Sequence, residues 1–106
     1  MTILVTISGS MSDVIDCTLG KYPGRITMPS AWTTANLTYQ VSNDKSVFVD
    51  LHDESGEVVT TVSASKSIVL DPDVFRSIRW LKIRSGTSAT PVTQAATRVL
   101  ELTTVR

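Results

Sequence analysis

The chain has 106 residues, 42% of them apolar and 19% charged, which suits one folded domain whose core needs neither disulfides nor metal. Ten basic and ten acidic residues cancel, so no strong field holds the chain on nucleic acid or an anionic membrane. A single cysteine, Cys17, excludes an intramolecular disulfide and a cysteine-built zinc site, and a single histidine, His52, removes the usual His-dependent catalytic pairs.

Thr, Val and Ile supply roughly a third of the residues, and their stiff side chains suit a pleated surface. Short runs separated by turn residues predict an all-β antiparallel sandwich. Strands are expected at residues 3–8, 14–19, 25–28, 37–42, 47–51, 58–62, 67–70, 78–84 and 97–104. The opening "MTILVTISGS" lacks a basic start and a sustained apolar core, so it does not read as a secretory signal. No apolar run approaches a membrane span. Residues 1–20 read as a strand or as an arm laid on a neighbouring subunit, and 21–106 as the sandwich domain. Cys17 reads as a buried, inert thiol.

In "PSAWTTANL", Trp32 lies in a loop entering a strand, where it plugs the end of a sandwich or offers a stacking platform to a sugar. Leu37, Tyr39 and Val41 alternate cleanly with Thr38 and Gln40, as in a half-buried strand. The polar knot Ser42–Ser46 then needs no ligand: Asn43 and Asp44 are turn residues, and a calcium ion would need more oxygens than they offer. In the next run Val47, Val49 and Leu51 share one face, which leaves Phe48 pointing away with Asp50. Either Phe48 covers a partly buried outer face or a bulge changes the register.

Residues 52–59 read as a turn around Gly56. Asp71 and Pro72 sit where an N-cap and first helical residue belong, predicting one helical turn over 72–76 that drops Phe75 onto the core. Pro23, Pro29 and Pro91 are expected outside strand interiors. Trp80 opens an alternating run in which Lys82 and Arg84 are expected on the polar side as solvated residues, with a rim contact as the alternative. "SGTSATPVTQAA", residues 85–96, has no pattern and reads either as a plain connector or as a partner-contact loop. Its Gly86, Thr87, Ser88, Thr90, Pro91, Thr93 and Gln94, with Trp32, are the candidate contact residues.

Catalytic, metal and cofactor residues are not expected. No Gly-x-Ser-x-Gly elbow and no Gly-rich phosphate loop occurs, and nothing singles out a carboxylate pair such as Asp50 with Glu101.

"AWTTANLTYQVSNDKSVFVDL" followed by "LDPDVFRSIRWLKIRSGTSATPVTQAATRVLELTT" resembles small structural proteins of tailed bacteriophages, over roughly residues 23 to 104. The shared features are an aromatic-led strand, a Val-Ser-x-Asp hairpin, an Asp-Pro-x-x-Phe turn and an aromatic-Leu-Lys-Ile-Arg-Ser-Gly strand. The hairpin and the late aromatic–Arg strand also look like galactose-binding-like jelly rolls of about eight strands. One departure is Lys45, where the hairpin often carries Gly. The resemblance implies a virion protein made in the host bacterial cytoplasm, of the capsid decoration or cement type, that binds the outer shell and stabilises it. Its implied partners are the major capsid protein and further copies of itself, with no nucleic acid, membrane or cofactor. A carbohydrate-binding module, or a neck or tail adaptor, is the alternative.

Overall fold

The computed structural model describes residues 1–19 and 21–105. The protein is all-β and sandwich-like, built from a curled antiparallel sheet with one short helix. Its strands are β1 (Thr2–Ser8), β2 (Met11–Ser12), β3 (Ile15–Asp16), β4 (Tyr22–Thr27), β5 (Leu37–Ser42), β6 (Val49–Asp50), β7 (His52–Asp53), β8 (Gly56–Glu57), β9 (Ser67–Val69), β10 (Trp80–Ser85) and β11 (Arg98–Val105), with α1 (Pro72–Phe75) between β9 and β10.

Nine strands form one sheet in the order β6-β5-β10-β2-β1-β11-β4-β9, with β3 also on β10, while β7 and β8 form a separate hairpin. The short β2 is the corner. It pairs with β1 through Ile7–Ser12 and Ser8–Met11, and with β10 through Arg84–Met11. Either side of it the sheet forms two halves around one core. Val5, Ile7, Ile26, Leu100 and Leu102 come from the β1–β11–β4 half, and Leu37, Tyr39, Leu81 and Ile83 from the β5–β10 half. Each set alternates along its strand, so one pleat face is buried and the other faces outward.

The helical turn forms for the expected local reasons. The Asp71 carboxylate accepts from the Asp73 amide at 2.9 Å, Pro72 occupies the first turn, and Phe75 is buried. The Phe75 ring meets Tyr39 edge-on, 5.0 Å between centroids at 82°. Tyr39 in turn shares a 2.6 Å hydrogen bond with the Thr60 hydroxyl.

The Ser42–Ser46 knot is a turn. Asp44 Oδ1 accepts from the amides of Ser46 and Val47 and from the Ser42 hydroxyl, each at 2.9 Å. Those donors, Val47 first, hold the Asp44 carboxyl below the usual range. Lys45 takes the left-handed conformation, φ 66°, that its position demands despite lacking glycine's freedom.

Several expectations need correction. The 14–19 run is only the two-residue β3, because Ile15 and Cys17 face the core while Asp16 caps a turn through Thr18. The 47–51 run is reduced to Val49–Asp50, with Val47 and Val49 exposed and Phe48 half-buried under the Lys82 ammonium, 4.5 Å from the ring centroid. Phe48 therefore covers the outer face, and cation–π attraction holds it there. The 58–62 run keeps only an isolated pairing of Leu37 with Thr60. Residues 52–57 are a small hairpin rather than a bare turn. Pro23 lies inside β4, beside a register shift at Thr103/Thr104 where the ladder is already irregular. Residues 1–19 supply β1, β2 and β3, and β1 is interior, between β2 and β11.

Candidate interaction surface

The patternless stretch after β10 is internally cross-linked. Gly86 pairs with Pro91, the Thr87 amide donates to Thr90 O at 3.1 Å, and the Thr90 amide donates back to the Thr87 hydroxyl at 3.0 Å. Gly86 has φ +92°, and a Cβ there would meet Thr90 O at 2.5 Å and Val92 N at 2.6 Å. The loop's far end is fixed by Gln94, which is buried. Gln94 Oε1 accepts from the Thr33 amide at 2.8 Å, and Nε2 donates to Thr33 O at 2.9 Å and Ser85 Oγ at 2.8 Å. One amide side chain thus mimics a strand partner for Thr33 and ties the Trp32 loop to β10.

The candidate contact residues accordingly divide. Gly86 and Gln94 face inward, Thr87 is half-buried, and Ser88, Thr90, Pro91 and Thr93 are exposed at the tip. Trp32 is half-buried against the core, and its indole N–H is held by Ala35 O at 3.1 Å. That is the geometry of a plug, partly buried and with its polar edge already engaged.

Arg84 was expected in solvent and is instead buried. Its guanidinium donates to Asp50 Oδ1 at 2.8 Å, Glu57 Oε2 at 3.2 Å and Thr38 Oγ1 at 2.9 Å. Glu57 also accepts from the Ser88 amide at 3.1 Å, and the Thr38 hydroxyl donates to Gly86 O at 2.7 Å. This network fastens the β7–β8 hairpin and the 86–91 loop onto the outer face of β5 and β10. Alternation placed Arg84 on the polar face correctly. The sequence carried no local signal that two loops would fold over that face.

Among the described residues, no loop folds over the other half of the sheet in this way. Pairing aligns Thr2, Thr103, Arg25 and Val69 in one row, Leu4, Glu101, Thr27 and Ser67 in a second, and Thr6 with Val99 in a third. Leu4 is 66% exposed and Val69 77%, against 46% for Val99. Side chains along these rows are tied sideways. Arg25 donates to Ser67 Oγ at 2.9 Å, and the Thr27 and Ser67 hydroxyls meet at 2.9 Å. The result is a nearly neutral face of hydroxyls and aliphatics on which Arg25 and Glu101 carry the charges. A shallow depression of about 240 Å³ lies between Leu4, Thr27, Pro29, Val99 and Glu101.

Asp50 and Glu101 are not brought together, since Asp50 binds Arg84 and Glu101 stands on this open plane. Among the described residues, no three His, Cys, Asp or Glu side chains gather to hold a metal ion, and no helix is long and apolar enough to cross a membrane. No protein-family model and no curated protein sequence matches the chain.

Proposed function

We propose that the protein is a structural component of a tailed-phage virion that docks on the outer capsid shell as a decoration protein and stabilises it. The observation that carries this reading is the open plane of β1, β11, β4 and β9. Leu4, Val69 and Val99 stand exposed there among laterally bonded Thr and Ser side chains. Exposed aliphatics spread among hydroxyls on an open sheet face suit contact with a partner, and strands held in register present them with little ordering cost on binding. The resemblance of residues 23 to 104 to phage structural proteins supplies the partner, the major capsid protein. Shell stabilisation then follows by mass action, because a ligand of the assembled state raises that state's apparent stability.

The test uses phage shells lacking the protein. Purified protein should bind them and raise their heat resistance, and Leu4→Asp, a change at an exposed position, should abolish both effects while leaving the fold intact. Absence of binding by the unaltered protein defeats the reading. Its appearance at the neck or tail in labelled particles moves it to an adaptor role.

A further inference from the structure

The curled sheet does not close on itself. At one end β9 has β4 on one side only. At the other end residues 58–61 run beside β5, joined through Leu37 and Thr60. Between β9 and this segment lies a groove of about 460 Å³, with Val58, Ile68, Leu70, Val74 and Phe75 supplying its apolar floor.

Both walls carry unused backbone groups. Leu37 and Thr60 exchange two hydrogen bonds, at 3.0 and 2.9 Å, so the Thr60 amide and carbonyl face β5. By the alternation of an extended chain, those of Val59 and Thr61 face away from it. Across the groove, the Met28 amide donates to Lys66 O at 2.8 Å and the Leu70 amide to Gly24 O at 2.9 Å. Residues 66, 68 and 70 thus turn toward β4, and Ser67 and Val69 direct N–H and C=O to the open edge. An exposed edge of this type is a template for another extended chain.

The rim fixes the chemistry of the occupant. Asp53 and Asp71 stand at the groove, Glu57 is held by Arg84 and the Ser88 amide, and among the described residues no Lys or Arg lines it. A strand laid there sends alternate side chains to the floor and to the rim. We propose that this groove takes a short extended segment of a partner protein in which apolar and basic residues alternate, adding a strand to the free edge of β9. The apolar residues cover Ile68, Leu70 and Phe75, and the basic ones meet Asp53 and Asp71. This site meets the sheet plane proposed for shell docking at β9, but it uses the free backbone edge and the inward-facing Ile68 and Leu70 rather than the outward side chains.

Nuclear magnetic resonance of the whole protein tests it, with a capped Lys-Val-Lys-Val-Lys peptide as probe and Glu-Val-Glu-Val-Glu as control. The basic peptide should shift the amides of Ser67, Val69, Val59 and Thr61 and slow hydrogen exchange at Ser67 and Val69. The Asp53→Asn/Asp71→Asn pair keeps the side-chain caps and should weaken binding about tenfold. Val69→Pro removes an edge donor and should abolish binding; if that variant does not fold, exchange at Ser67 and Val69 in the unaltered protein decides. Equal response to the acidic peptide, no slowing at those amides, or full binding by folded Val69→Pro overturns the proposal. So does movement of the same amides on concentrating the protein alone, which assigns the groove to a second copy.

Discussion

Arg84 and Asp50 meet at 2.8 Å beneath the 86–91 loop, with the arginine side chain 6% exposed and the aspartate 34%. Glu57 and Thr38 complete the guanidinium's partners. A buried cation held this way adds little over a well-packed apolar residue, but removing either side of the pair strands the other. Arg84→Ala is therefore expected to cost about 3 kcal/mol, read as a lower urea midpoint. Glu57→Gln keeps an acceptor for the Ser88 amide, and its loss should be under about 1 kcal/mol.

The same pair sets an acid limb. The Arg84 hydrogen bond, helped by Gln40, holds the Asp50 carboxyl below its ordinary value. A depressed folded pKa means the unfolded chain takes up the proton first as pH falls. The contribution is complete above the unfolded carboxylate value of about 4 and drains away below it. Denaturant midpoints should be flat around neutrality and fall on acidification below about pH 4. Asp50→Asn should start lower and show a shallower acid slope.

Gly86 and Gly9 both have positive φ, 92° and 73°, yet only Gly86 has backbone where a Cβ would sit. Gly86→Ala should cost about 1–3 kcal/mol and Gly9→Ala about 1 kcal/mol. Paired thermal melts separate strain alone from strain with a clash.

Gln94→Ala removes four side-chain hydrogen bonds, shared with Thr33, Ser85 and Arg98, and leaves the Thr33 amide and carbonyl without theirs. The expected loss is about 2 kcal/mol, with faster proteolytic cutting between Gly86 and Gln94 than in the unaltered protein.

Cys17 faces the core, its amide bonded to Arg79 O at 2.7 Å, and burial pushes its thiol up to about 11. Since the thiolate is the reactive form, a disulfide reagent should modify Cys17 at neutral pH only as the protein unfolds. Rapid labelling of the native protein would contradict this placement.

Alternation and turn chemistry made much of the fold readable. β5 was bounded at Leu37 and Ser42, and the Asp71–Pro72 cap placed α1, because both signals are local. What escaped were effects of distant chain segments. Phe48 lies outward because Lys82, on another strand, covers it. Arg84 is buried because residues 57 and 88 arrive over it from two loops. The 85–96 stretch showed no period because its order comes from one glutamine and a tight Gly86–Pro91 pairing, neither of which repeats. The groove beside β9 was equally invisible, since an open seam is a property of how a sheet curls rather than of any run of residues.

β1 takes β11 as its partner from Thr2–Thr103 through to Ile7–Arg98. A ribosome must therefore deliver residues 98–105 before residues 2–7 gain their main neighbour. Such long loop closure makes assembly slow and late rather than progressive, and the half-made polypeptide exposes Val5 and Ile7 while it waits. Holdases, or a brisk finish to translation, would then govern how much usable product each expressing cell yields.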